Sequence, residues 1–363
     1  MVPVPGTLTL VLRELLPPEL FNNDPAGYAW GVWHDRTPKL ISQLKDAHPF
    51  SAVQRSALDD LLAETASWAD ASFLWSESVF FQKLLEAIGF FAPGPWHGVD
   101  PFAYLKNAEL QDEAAESALA AVAGQDGKDK LLASAWGNRA DLGFRINRTA
   151  DPEQAGLVAD DSTQLWAALE SATDIVLVAD NAGREMMADL ILIDYLLASE
   201  PTRSVSLQLK PHPYYVSDAT TADVVACLDR LTRTQATAAA AGRLKAAAAT
   251  GRLTLDTHEF YCAPWSYHRM PDDLAARFRR ASLTIMKGDL NYRRLAGDLA
   301  WPPTTPFGEA VSYFPGPVAA LRTLKSDVVT GIDPAMIARL GGPGGAWRTD
   351  GSHGLIQVYV PAS

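Results

Sequence analysis

Apolar residues recur at three- and four-residue spacing over Ile41–Asp46, Ala52–Trp68, Trp75–Ile88 and Asp112–Ala123, the period of amphipathic helices. Proline and glycine punctuate between them, as in Phe91-Ala-Pro-Gly-Pro-Trp96. After Ala150 the texture changes. Asp174–Ala179 is a short β-branched run, the pattern of a strand buried on both faces, and a helical period follows over Arg184–Leu197. Strand-like runs then recur at Ser204–Leu209, Leu253–Thr257, Ser282–Met286, Val318–Arg322 and Gly354–Val360, with helical patterns from about Ala219 and over Gln235–Thr250. Strands alternating with helices predict βαβ units. The expected fold class is α/β: a three-layer α/β/α, mostly parallel, Rossmann-like sheet over residues 151–363, behind an N-terminal helical domain over residues 1–150.

Charge narrows the ligand classes. Lys and Arg number 31 against 43 Asp and Glu, a formal net charge of −12. So acidic a surface repels a phosphate backbone, which excludes nucleic acid as a partner bound by charge alone. An anionic ligand must instead be held by a local cluster of cations or by a metal. Met1–Leu20 interrupts its apolar run with Arg13, Glu14 and four prolines, and fits neither a signal peptide nor a span. Leu190–Ala198 is broken by Asp194 and is far below membrane length. Cys227 and Cys262 form neither a disulfide framework nor a CxxC metal site, and read as buried small hydrophobes. The expectation is a soluble cytoplasmic protein without a membrane partner. Nothing in the sequence speaks to its oligomeric state. Trp30, Trp33, Trp68, Trp75, Trp96 and Trp136 crowd into the helical half, as core and interface packing requires.

Ligands of open α/β sheets collect at the carboxyl ends of the strands, and four strand ends here carry polar residues. In Val178-Ala-Asp180-Asn181-Ala-Gly183-Arg-Glu185 a strand stops at a carboxylate and an amide, hard ligands suited to Mg²⁺ or Mn²⁺. The helix behind them offers free N–H groups to a phosphate. The alternative is that Asp180 or Asn181 caps that helix and binds nothing. In Lys210-Pro-His212-Pro-Tyr-Tyr-Val216-Ser217-Asp218, Asp218 is either a third oxygen ligand or another N-cap, and His212 reads as a solvent-facing loop residue. Met286-Lys287-Gly-Asp289-Leu-Asn-Tyr-Arg293-Arg294 gathers Lys287, Arg293 and Arg294 as an anion site, or as a solvated helix face paired with Asp298. In Leu321-Arg322-Thr-Leu-Lys325, Lys325 reaches the same place only if the chain bends after the strand. Together the four describe metal-assisted phosphoryl chemistry better than four unrelated caps.

These residues resemble the damage-control phosphatase family. The resemblance is carried by Asp180-Asn181-Ala-Gly183, by Lys210-Pro with Val216-Ser-Asp218-Ala219, by Lys287-Gly-Asp-Leu-Asn-Tyr-Arg293 and by Arg322-Thr-Leu-Lys325. The Arg-Thr-x-Lys string is similar to that of the third subfamily, which includes the acidic-residue-methyltransferase-like proteins. Ala29–Pro38, Leu74–Glu77, Asp100–Phe102 with Lys106, and Trp136–Leu142 look like its N-terminal landmarks, so the resemblance covers about residue 25 to the end. It implies a metal-dependent phosphatase of sugar phosphates, of the fructose 1-phosphate or fructose 6-phosphate type, and related phosphometabolites. It implies Asp180, Asn181 and Asp218 as ligands of Mn²⁺, Co²⁺, Ni²⁺ or Mg²⁺. It also implies Asp289, Leu290, Asn291, Tyr292, Arg293 and Lys325 as substrate-binding residues.

In the mechanism these readings suggest, a divalent metal acts as Lewis acid and template, and Lys325 and Lys287 offset phosphate charge. Asp180 or Asp218 orients the attacking water, or a carboxylate attacks directly. Glu77, Asn138 and Arg36 are further residues placed to reach a cleft between the two parts. Glu185 belongs to the rival reading, an S-adenosylmethionine-dependent carboxyl methyltransferase, which lacks a glycine-rich strand–turn because Gly341–Gly345 falls in a C-terminal loop. A non-enzymatic sugar-phosphate-binding regulator is the third reading.

Overall fold

A computed structural model describes residues 16–137 and 156–361. Its centre is a seven-stranded sheet of β1 (Leu157–Asp160), β2 (Asp174–Val178), β3 (Ser204–Leu209), β4 (Leu253–Thr257), β5 (Leu283–Lys287), β6 (Val318–Thr323) and β7 (Gly354–Tyr359). The order is β1-β7-β6-β5-β2-β3-β4, and every pair is parallel except β6 with β7. The expected mostly parallel, three-layer α/β architecture with a helical N-terminal region is therefore present. β1 leaves no readable trace in the sequence pattern, because four residues give no clear alternation.

Strands β2, β5 and β6 are buried on both faces except at Asp174, which is why they read as continuous apolar runs. One face is covered by helices Ser162–Ser171, Gly183–Ser199, Thr221–Leu231 and Gln235–Ala249. The other carries helices Asp272–Arg280, Gly288–Leu295 and Phe307–Val311. From β2 the chain moves outward through β3 to β4, then returns to β5 on the other side of β2. The strand order thus reverses between β2 and β5, the place where open sheets form a ligand crevice.

The helical region divides in its packing. Tyr28–Gly31 runs through a π-turn, Val32–Arg36, into helix Thr37–Ala47, and with Ala52–Glu64 and Phe73–Ile88 it closes around Trp33, Ile41, Leu44, Leu58, Phe80 and Leu84. Helix Gly127–Trp136 instead buries Leu131, Ala133 and Trp136 in the sheet's own core. The hydrophobic contacts of the sheet therefore begin well before residue 150. Among the described residues no helix is long and apolar enough to cross a membrane.

Candidate active site

The strand ends are joined by backbone hydrogen bonds that leave little freedom. The Ala219 N–H donates to the Asp180 carbonyl at 2.8 Å and the Ala182 N–H to the Ser217 carbonyl at 2.7 Å. Asn181 and Asp218 form an antiparallel bridge, and Lys210 bridges Thr220. This pairing puts Asp180, Asn181 and Asp218 on one cavity of about 490 Å³. Two glycines allow the close approach. Gly288 (φ 80°) passes so near Asp180 that a Cβ there would collide with the carboxylate, and one on Gly183 (φ 66°) would strike Glu109.

The capping alternative fails for all three residues. Helix Gly183–Ser199 starts at Ala182 with no side-chain cap. Helix Thr221–Leu231 is closed by a capping box of Thr220 and Asp223. Asp180 and Asn181 bond each other instead, and Asp218 lines the same cavity. Asn181 Nδ2 donates to Asp180 Oδ2 at 2.8 Å and to Glu185 Oε2 at 3.0 Å, while its Oδ1 accepts from Ser217 at 2.6 Å. Asp218 Oδ2 accepts the Tyr215 N–H at 2.7 Å. Burial, then the charges of Glu185 and Asp218, push the Asp180 carboxyl well above its ordinary range, against Lys210 and Lys325. Among the described residues no cluster of three or more His, Cys, Asp or Glu side chains could hold a metal ion. The donor set here is two carboxylates with an amide oxygen, hard oxygen ligands whose mutual repulsion a divalent cation would relieve.

The string from Lys287 to Arg293 is split by its own helix, Gly288–Leu295. Asp289, Leu290 and Arg293 line the cavity. Asn291 turns inward and donates to the carbonyls of Ala179 and Lys287. Tyr292 bonds Thr330 and Gln357 within the core. Lys287 is also withdrawn from the cavity. Its fully buried ammonium lies 2.9 Å from Asp189 and 3.3 Å from Glu185 and donates to the Ser134 carbonyl. The expectations that Lys287 offsets phosphate charge and that Asn291 and Tyr292 touch substrate therefore do not match these positions, because a helix beginning at residue 288 can turn only part of the string to one side.

Lys325 does reach the cavity. β6 ends at Thr323, and the bend that follows is fixed by Asp289 Oδ1, which accepts both the Lys325 N–H at 2.9 Å and Arg322 Nε at 2.8 Å. Burial raises the Asp289 carboxyl, but Arg322 and then Arg293 outweigh it and hold it below its ordinary value. The Lys325 ammonium has no protein partner among the described residues.

Arg293 is paired with Asp298, as the alternative reading had it, but in the interior rather than in solvent. Nε and Nη2 hold both Asp298 oxygens at 2.7 and 3.1 Å, and Nη1 donates to Glu77 Oε2 at 2.7 Å. Asp298 takes φ 56° to make this fork. With one guanidinium between two carboxylates, burial leaves Glu77 raised above its ordinary value. The pair ties helix Phe73–Ile88 to the strand-end helix. Phe81 stacks on Tyr215 at 4.7 Å, and Lys106 donates to Asp218 O, Asp100 and Asp223.

Glu77 and Arg36 line the cavity, Arg36 bonding Tyr28 Oη at its mouth. Glu185 lies beneath Asn181 rather than on the cavity wall, and Asn138 lies outside the described residues. His212 is not a free surface residue: its ring packs between Phe90 and Phe91. The first turn of helix Gly183–Ser199 is met by Glu109, which accepts the Arg184 N–H, so that N–H is already taken. Glu109, Tyr28, Gln43 and Tyr215 were not singled out in the sequence, and of these only Tyr215 sits in a strand-end motif.

Two carboxylates, an amide and a lysine thus share one crevice at the strand ends of an open α/β sheet. The ARMT1-like damage-control phosphatase domain matches residues 32–340, and the chain belongs to that family. It is 29% identical over 89% of its length to the mouse damage-control phosphatase ARMT1, covering 82% of that protein. It is 31% identical to the human one over 64% of the chain and 58% of that protein. A DUF89-family protein from Pyrococcus horikoshii shares the fold, with a TM-score of 0.53 and 17% identity over 86% of this chain and 95% of that one.

Proposed function

We propose that this protein is a divalent-cation-dependent phosphatase of small phosphomonoesters, with sugar phosphates of the fructose 1-phosphate or fructose 6-phosphate type as its substrate class. Family membership supports the phosphatase role. The observation that carries the finer reading is the convergence of Asp180, Asn181, Asp218 and Lys325 on one cavity, none of the first three being spent on a helix cap. The Arg322-Thr-Leu-Lys325 string, with Arg322 holding Asp289 and Asp289 holding the Lys325 backbone, supports placement in the third subfamily.

Asp180, Asn181 and Asp218 would hold Mn²⁺, Co²⁺, Ni²⁺ or Mg²⁺, which when bound supplies Lewis acidity and a template for a phosphate oxygen. The residues of the chain do the rest. Lys325 offsets the charge on the phosphoryl oxygens. Asp180 and Asp218 have carboxylate oxygens facing the cavity to orient a water for in-line attack. Asp289, held ionised, accepts from a sugar hydroxyl. Trp33, Phe80 and Phe81 give the cavity an apolar wall, which limits the water near the bond being broken. Release of inorganic phosphate from a sugar-phosphate panel tests this: it should vanish with chelator and return with Mn²⁺ or Co²⁺. Turnover that survives chelation, or an Asp180→Ala variant that matches wild type, overturns the metal assignment. Calorimetric binding of S-adenosylmethionine without phosphate release would favour the methyltransferase instead.

A further inference from the structure

Four lysines are buried among the described residues: Lys106, Lys130, Lys210 and Lys287. Three are satisfied. Lys106 has Asp100, Asp223 and the Asp218 carbonyl; Lys287 has Asp189, Glu185 and the Ser134 carbonyl; Lys130 donates to Gln125 O. Lys210 is 2% exposed, and its ammonium has no hydrogen-bond partner among the described residues. A charge buried without a partner opposes folding, so its presence needs a reason. Chance orientation is a poor one here. The Lys210 N–H is bonded to Ala219 O, and Ala219 N–H to Asp180 O, so the backbone fixes this lysine beside the carboxylate pair. Its charge acts on Asp180 and on Cys262.

The charges around Asp180 explain what such a cation does. With all four ionised, as a bound divalent cation would require of the ligands, Asp180, Asp218, Glu185 and Asp189 contribute four negative charges, and Lys287 offsets one of them. A divalent cation added to that set leaves a residual negative charge, which would repel a phosphate dianion. Lys210 cancels it. We infer that Lys210 is a positioning residue of this site: a fixed buried cation that neutralises the carboxylate cluster so that the metal-loaded cavity accepts a phosphate. Lys325, on the cavity side, then meets the ligand directly, whereas Lys210 acts from behind the wall. The inference rests on the metal-dependent reading above.

The test separates anion binding from metal binding. Mn²⁺ affinity is measured by calorimetry, and inorganic phosphate affinity for the Mn²⁺-loaded protein by calorimetry and by thermal shift. The proteins are wild type, Lys210→Met and Lys210→Arg. Removing one fixed charge at close range should weaken phosphate binding by about tenfold, with Mn²⁺ bound as tightly as in wild type or tighter. Lys210→Arg should recover most of the phosphate affinity. Phosphate affinity within about threefold of wild type in Lys210→Met overturns the inference, as does a parallel loss of Mn²⁺ affinity, which would mark a merely structural role. If Lys210→Met does not fold, Lys210→Arg decides by the same phosphate comparison against Lys210→Gln, and equal affinities in that pair overturn it. A wild type that binds neither Mn²⁺ nor phosphate removes the proposed function itself. A wild type that binds both, beside an unaffected Lys210→Met, removes only the role of Lys210.

Discussion

Two kinds of buried charge group sit side by side at the strand ends and differ in one respect. Around Lys287, the ammonium is held by the Asp189 and Glu185 carboxylates and the Ser134 carbonyl, and within this group only the second Asp189 oxygen is without a hydrogen-bond partner among the described residues. Arg293, Asp298 and Glu77 form a second closed set. Around Asp180 and Asp218, by contrast, like charges face each other on a cavity, the nearby Lys325 ammonium has no hydrogen-bond partner among the described residues, and the Asp180 carboxyl is driven upward. Closed groups hold the fold together, and open ones hold something else. Lys287 and Lys325 stand at the ends of adjacent strands, yet only the second is left for a ligand.

The largest expected effect falls on the open group. Asp180→Asn should lower phosphate release by about a thousandfold or more while leaving the melting temperature equal or higher, since it removes a crowded buried charge. A variant that is both active and unchanged in stability would break the distinction. Next, Lys325→Met should cost roughly a hundredfold in kcat/KM with little change in denaturant midpoint. The matching change in the closed group, Lys287→Met, should reverse the pattern. It strands two carboxylates and should destabilise the protein by about 3–5 kcal/mol, read from urea unfolding, and its activity loss should follow the unfolded fraction.

The smallest expected effect is in pH. Burial pushes the Asp189 carboxyl to about 6 against the pull of Lys287. A folded pKa above the unfolded one favours the folded state at low pH, and that contribution is lost as pH rises through about 6. The cation-free protein should therefore melt lower at pH 7 than at pH 5, and Asp189→Asn should flatten the slope. An unchanged slope in that variant would remove Asp189 from the account.

Much of this was legible in one dimension. Six of the seven strands announced themselves as apolar runs, and Asp180-Asn181, Asp218 and Lys325 stood out because polar residues follow those runs directly. Lys287 to Arg293 misled for a reason of the same kind: seven contiguous residues read as one motif, but a helix gives each its own direction. Lys210 stood out only within the Lys210-Pro string and not as a buried cation, because a lysine that ends a strand looks alike whether or not its ammonium finds a partner.

Local features follow from the chain's own order: which segments are strands, and which polar residues terminate them, since periodicity and strand ends depend on neighbours along the chain. The tertiary structure decided which of those charges pair off. Pairing depends on strand order, which sets β2 between β5 and β3, and on helix rotation, which turns Asp289 outward and Asn291 inward. Neither can be read from spacing, because a charge is neutralised by what lies across the crevice rather than by what adjoins it in the chain.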